Sequence, residues 1–149
     1  MRLLARPAEI SFTGTVPDLR PLIARAAVSI VPLRIGSGTR IKILEAAAMA
    51  KAVVSTSIGA EGLAFANGRE IIVEDAPLEF ARAIADLLHD EPRRRAIGAA
   101  ARRVVVEQYS MATLTRALRP VLAGLARGCA AGDRVAESRA VAPEAGPAA

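Results

Sequence analysis

One stretch of this chain carries residue types and spacing suited to holding an anion: Pro32-Leu-Arg34-Ile-Gly36-Ser37-Gly38-Thr39-Arg40-Ile-Lys42-Ile-Leu-Glu45-Ala. It follows a short run of β-branched residues and opens into a helical pattern. Gly36 and Gly38 let the backbone approach a ligand closely. A helix N-terminus offers unpaired N–H donors and a partial positive charge, which suit a phosphate. Arg34, Arg40 and Lys42 add cations. A diphosphate is the simplest ligand this set fits. Glu45 lies about two turns into the helix, on one stripe with Gly38, Lys42 and Met49. Its carboxylate has two readings. It pairs with Lys42 on the surface, which is worth little, or it accepts hydrogen bonds from vicinal hydroxyls such as those of a ribose. Met49 reads as packing.

Two common phosphate motifs do not fit the stretch. A Walker loop needs Gly-x4-Gly-Lys-[Ser/Thr], which is absent. A dinucleotide fingerprint needs a third glycine where Ile41 stands, and the strand ending at Thr56 lacks the acid that would hold a ribose.

The surrounding pattern supplies the elements that must position this loop. Ile10-Ser-Phe-Thr-Gly14 predicts a short strand. Asp18 predicts an N-cap for a helix to about Ala27. Val28–Val31 and Ala52–Thr56 read as strands, with a helix over roughly Thr39–Ala50 between them. Residues 57–70 predict a long loop, in which Glu61 and Gly62 have no sharp role. Gly14, Gly59 and Gly62 read equally well as turn residues. Glu70–Glu74 predicts a fourth strand. Beyond it the pattern is helical. Pro77 suits a first turn, with Phe80, Ile84, Leu87 and Leu88 on one face. A second helix opens at Pro92 and runs to about Gln108. A third covers 110–126 with Leu114, Leu118, Val121, Leu122 and Leu125 on one face, and Pro120 predicts a kink or break near Leu118. His89, at a helix end beside Asp90 and Glu91, predicts a cap. Residues 1–9 read as a lead-in, 10–127 as one partial domain and 128–149 as a disordered tail.

Alternation of strands and helices implies an α/β fold with a parallel sheet, helices on both faces and a helical C-terminal part. About four short strands make only part of a doubly wound domain. Ligands in such sheets bind beyond the carboxyl ends of the strands, which selects the loops 14–18, 32–40 and 56–62.

Composition narrows the function classes. Hydrophobic residues are 52% of 149, but 33 of them are Ala and aromatics are 3%, so the core is built from Leu, Ile, Val and Ala. The single Cys129 excludes a disulfide framework, and no Cys/His cluster exists for zinc. No apolar run reaches membrane-spanning length, and the N-terminus lacks a signal h-region, so a cytoplasmic location is expected. Net charge is +5. Its densest cluster, Arg93, Arg94, Arg95, Arg102 and Arg103, has no interleaved aromatics and reads as a solvated helix face. No nucleic-acid partner is expected.

The segment from Phe12 to about Tyr109 resembles the C-terminal donor-binding domain of group 1 (family 4) glycosyltransferases, which have the GT-B fold. The resemblance rests on Phe12-Thr-Gly-Thr-Val-Pro-Asp-Leu, Val31-Pro-Leu-Arg-Ile-Gly-Ser-Gly-Thr-Arg-Ile-Lys-Ile-Leu-Glu-Ala, Lys51-Ala-Val-Val-Ser-Thr-Ser-Ile-Gly-Ala-Glu-Gly-Leu and Ala101-Arg-Arg-Val-Val-Val-Glu-Gln-Tyr-Ser. Their order and spacing over about 100 residues carry it, since no single piece is specific. It implies a Rossmann-like sheet and a nucleotide-diphosphate sugar as substrate, with hexosyl transfer to a glycan, lipid or small-molecule acceptor. Glu45 matches the second Glu of the family's Glu-x7-Glu motif, which holds the nucleotide ribose. The first Glu, which contacts the transferred sugar, falls at Ser37, where this chain departs from the commoner pattern. Gly38 and Thr39 match the diphosphate-binding positions, Gly36 and Ser37 lie in the same loop, and the backbone near Val16 matches the loop beside the nucleobase. Arg40 and Lys42 do not occupy the family's phosphate-clamp positions, which belong to earlier strand–helix units.

The implied mechanism uses no metal, and the chain has no Asp-x-Asp motif. The protein's task is to stabilise charge on the departing diphosphate. A whole enzyme of this kind is considerably longer, so the chain is expected to be a fragment with an exposed sheet edge. Two further readings remain. One is a nucleotide-binding half-domain that docks with a separate acceptor domain. The other is a non-catalytic partner protein using the Leu114–Leu125 face.

Overall fold

The computed structural model describes residues 10–36, 38 and 40–139. The lead-in 1–9, Ser37, Thr39 and the last ten residues of the expected tail lie outside them. Two compact units divide the chain, one ending at Val106 and the other beginning at Glu107.

The first unit is an α/β domain around a three-stranded parallel sheet in the order β1-β2-β3. Its strands are β1 (Val28–Val31), β2 (Ala52–Ser55) and β3 (Ile72–Val73). β1 pairs with β2 from Val28↔Ala52 to Val31↔Ser55, and β2 pairs with β3 at Val54↔Ile72 and Ser55↔Val73. β2 is the central strand and all four of its residues are buried. That is why Ala-Val-Val-Ser is a continuous apolar run ending in a small polar residue, not an alternating one.

Successive β2 side chains feed two cores. Val53 packs with Val31, Ile43, Ala46 and Ile71. Ala52 and Val54 pack with Ile72, Leu87 and Ile97 on the other side. The first core is covered by α1 (Arg20–Arg25) and α2 (Ile41–Ala48), which supply Ile23, Ile43 and Ala46. α3 (Ser57–Ala60) adds Ala60. The second is covered by α4 (Pro77–His89) and α5 (Glu91–Gln108), which supply Phe80, Ala83, Ile84, Leu87 and Ile97. The result is a three-layer partial Rossmann-like arrangement. Gly98 of α5 lies directly against the Ala50 carbonyl, an approach that leaves no room for a Cβ.

Three sequence expectations change. Ile10–Gly14 is not a strand. Its β-type residues have no ladder among the described residues, and Phe12 is 73% exposed. The expected strand 70–74 contracts to Ile72–Val73, with Asn67↔Ile71 as an isolated bridge. Glu70 instead folds its carboxylate back onto the Ala66 amide at 2.9 Å. The loop 57–70 contains the short α3, capped by Thr56. The sheet therefore has three strands where four were expected. β1 has no strand neighbour on its other edge among the described residues, and Ile30 is exposed there.

The helices follow the sequence more closely. Pro77 opens α4 in its first turn. His89 ends α4, and its Nδ1 donates to the Ala85 carbonyl at 2.7 Å. Asp18 is not the N-cap, which is Leu19, but its carboxylate accepts the Arg20 amide at 2.9 Å and the Arg20 guanidinium at 3.0 Å. Of the five clustered arginines, Arg94 departs from the solvated-face reading. It is half-buried and donates to the Leu87 and Leu88 carbonyls at 2.7 and 3.2 Å, so it closes the end of α4.

In the second unit, α6 (Met111–Arg139) is one helix that continues through Pro120, where a kink or break was expected. It also extends past residue 128, where the tail was expected to begin. A proline removes a single N–H, and a long helix retains its other bonds around that gap. Ser110 caps α6: its Oγ accepts the Thr113 amide at 3.3 Å.

Candidate functional site

In a parallel sheet every strand ends at the same edge. The loops after β1, β2 and β3 therefore gather beyond Val31, Ser55 and Val73. Side chains bind these loops to one another. The Thr56 hydroxyl donates to the Leu33 carbonyl and accepts the Gly59 amide at 3.1 Å. The Ser55 hydroxyl lies 3.2 Å from the Val31 carbonyl. Asp75, after β3, accepts the Ser57 amide at 2.8 Å, and the Ser57 amide and hydroxyl hold its carboxyl below the usual range.

The glycine-rich loop runs from Pro32 to the start of α2. Gly38 has φ +92°, with open space where a Cβ would stand. Gly36 has φ +154°. Both are conformations that L side chains rarely adopt, so glycine is required by the backbone there. Gly36 and Gly38 are exposed, as are Arg34 and Lys42. Neither of these two cations takes part in an ion pair of the described residues. Ser37 and Thr39, both named as donor-binding positions, lie outside the described residues.

Arg40 differs from its neighbours. Its side chain is only 6% exposed. Nη2 donates to the Gly36 carbonyl at 3.3 Å and to Glu61 Oε2 at 3.2 Å, while its buried Nε has no partner. The sequence reading counted Arg40 among the cations available to a ligand. The structure commits its guanidinium to the protein's own loops.

Glu45 is exposed on α2, and no ion pair with Lys42 forms. Glu45, Ala48 and Met49 form one wall of a cavity of about 330 Å³. Pro17, Asp18, Leu19, Arg20 and Ile23 form the other. The pocket is built because α2 follows β1 and α1 precedes it, so both pack on the same sheet face. Val16, half-buried, adjoins Pro17 at the rim. Inside this wall the Arg20 side-chain and backbone hydrogen bonds hold the Asp18 carboxyl below its ordinary range.

Sequence reasoning missed Thr56 and the role of Glu61. Thr56-Ser-Ile-Gly59 has an N-cap pattern that could have marked α3. Nothing local marks Glu61, whose partner is 21 residues away.

The glycosyl transferases group 1 family model matches residues 2–90, more than half of the chain. The chain belongs to that family. Searches of curated proteins and of solved structures returned no match. No helix among the described residues is long and apolar enough to cross a membrane.

Proposed function

We propose that this chain supplies the donor side of a family 4 glycosyl transfer, binding a nucleotide-diphosphate sugar at the carboxyl edge of its sheet. The observation that carries this reading is the cavity between Glu45 on α2 and Pro17–Arg20. It brings together the two segments that the family resemblance assigns to the ribose and the nucleobase, 25 or more residues apart in sequence. The exposed Glu45, which has no ion-pair partner among the described residues, can accept two hydroxyl hydrogen bonds. The diphosphate lies along Gly36–Lys42, where backbone amides at the start of α2 and the exposed Arg34 and Lys42 neutralise the leaving group as its charge develops. No metal is needed when such groups supply the charge. The acceptor and any acceptor domain come from elsewhere, in the cytoplasm, and the chain acts as one part of a larger enzyme.

Calorimetric titration of the full chain with UDP, GDP and ADP tests this. One of the three binds saturably. Glu45→Ala weakens that binding by about 1.5–3 kcal/mol, as for the loss of a charged hydrogen-bond acceptor. A folded chain that binds none of them, or a Glu45→Ala variant with unchanged affinity, overturns the reading.

A further inference from the structure

We propose that Arg40 and Glu61 are positioning residues: together they latch the glycine-rich loop after β1 to the loop after β2, holding the backbone that faces the donor diphosphate. The proposal rests on the donor-site reading for its functional half.

Three observations lead to it. The first is the burial of Arg40. Arginine is almost never buried unless paired, and removing its charge from water is expensive. Here the burial is only partly compensated, because Nε has no partner among the described residues. A guanidinium meant to meet a phosphate would gain more by staying at the surface beside Arg34 and Lys42. Its burial is explained by what Nη2 holds, the Gly36 carbonyl and the Glu61 carboxylate.

The second is how the described part of the loop is held. Among the described residues, no backbone–backbone hydrogen bond is made by residues 32–38. Two side chains tether the loop, Thr56 at the Leu33 carbonyl and Arg40 at the Gly36 carbonyl. Thr56 fixes its beginning. Among the described residues, Arg40 is the side chain that reaches the glycine segment. Amides that stabilise a developing charge must already be oriented when the reaction occurs, and two glycines by themselves orient nothing.

The third is the asymmetry of the pair. Glu61 is 73% exposed, and among the described residues its carboxylate bonds to Arg40. It sits at the C-cap of α3, whose other end is fixed by Thr56. Both ends of α3 thus hold the loop after β1. Losing the Glu61 carboxylate leaves Arg40 as a buried cation with one carbonyl partner, and the loop loses its link to α3.

The test uses the full 149-residue chain. In backbone relaxation measurements, the Gly36 and Gly38 amides of the parent chain have order parameters in the rigid range, about 0.85, and in Glu61→Ala they fall below about 0.6. The Val53 and Val54 amides do not change, although the thermal midpoint falls, because Arg40 is left buried without its carboxylate. Affinity for the bound nucleoside diphosphate falls about tenfold. Arg40→Ala lowers affinity at least as much, and the double variant is no weaker than Arg40→Ala alone, the non-additivity expected of one linked unit. Flexible glycine amides in the parent chain, or unchanged ones in Glu61→Ala, overturn the latch. Looser amides with unchanged affinity overturn its positioning role. A parent chain that binds none of UDP, GDP and ADP overturns the donor-site reading instead, and the relaxation result still decides whether the pair holds the loop.

Discussion

The loops after β1 and β2 leave the same edge of the sheet and are built on opposite plans. The loop after β2 supports itself. Thr56 caps a four-residue helix, Gly59 packs against Ser55 and the Val31 carbonyl, and the segment is largely buried at its base. The loop after β1 is exposed from Pro32 to Gly36, and its described backbone makes no hydrogen bond with other backbone. Its shape depends on side chains that come from elsewhere. Glycine serves each plan differently. Gly59 is there because a Cβ would stand 2.9 Å from the Val31 carbonyl oxygen. Gly38 is there because of its φ of +92°, with space around it. One loop is a buttress, and the other is an exposed segment held by side chains from elsewhere.

Substitutions sharpen this contrast in a definite order. Gly59→Ala forces backbone apart in a packed region and lowers unfolding free energy by about 3 kcal/mol, measurable by denaturant titration. Thr56→Val removes both the cap and the tether at Leu33, at about 2 kcal/mol by the same measurement. Gly38→Ala meets no atoms and costs only its backbone strain, about 1 kcal/mol. Its larger effect falls on nucleotide affinity. Equal stability losses for Gly59→Ala and Gly38→Ala would erase the distinction between the two loops.

Glu70, at the far end of the loop after β2, adds a pH test. Burial pushes its carboxyl up, but the Arg69 guanidinium and Ala66 amide bond to it, and Arg69 and Arg103 add positive charge, so its pKa is lowered overall. A lowered folded-state pKa means that the charged form stabilises the fold. The contribution is complete above the ordinary glutamate pKa, 4.5, and is lost as pH falls through the lowered folded-state value. The chain therefore becomes easier to unfold with denaturant below about pH 4.5, and Glu70→Gln flattens that dependence.

The family itself was legible in sequence, because Gly36, Gly38 and Glu45 lie close together along the chain and the flanking runs keep their order. Most helices were legible for a related reason. Apolar spacing, Pro77 and Pro92 are local signals. The same signals do not report burial. Leu114, Leu118, Val121, Leu122 and Leu125 share one face of α6 as expected, yet all five are exposed, because the described residues of the second unit place no second layer over them. Ile10–Gly14 failed as a strand for the corresponding reason in sheets. Its residue types suit a strand, but a strand exists only with a neighbour to bond to.

By itself the sequence determined the class of fold, the family and most of the helices. These depend on periodicity and on residue types within a turn or two. The tertiary structure decided how the pieces meet. It withdrew Arg40 from solvent and bound it to Glu61 across 21 residues of sequence. It set Glu45 opposite Pro17–Arg20. It ended the sheet at three strands. Each of these depends on desolvation and contact between segments distant in the chain, and no local pattern encodes which segments will come together.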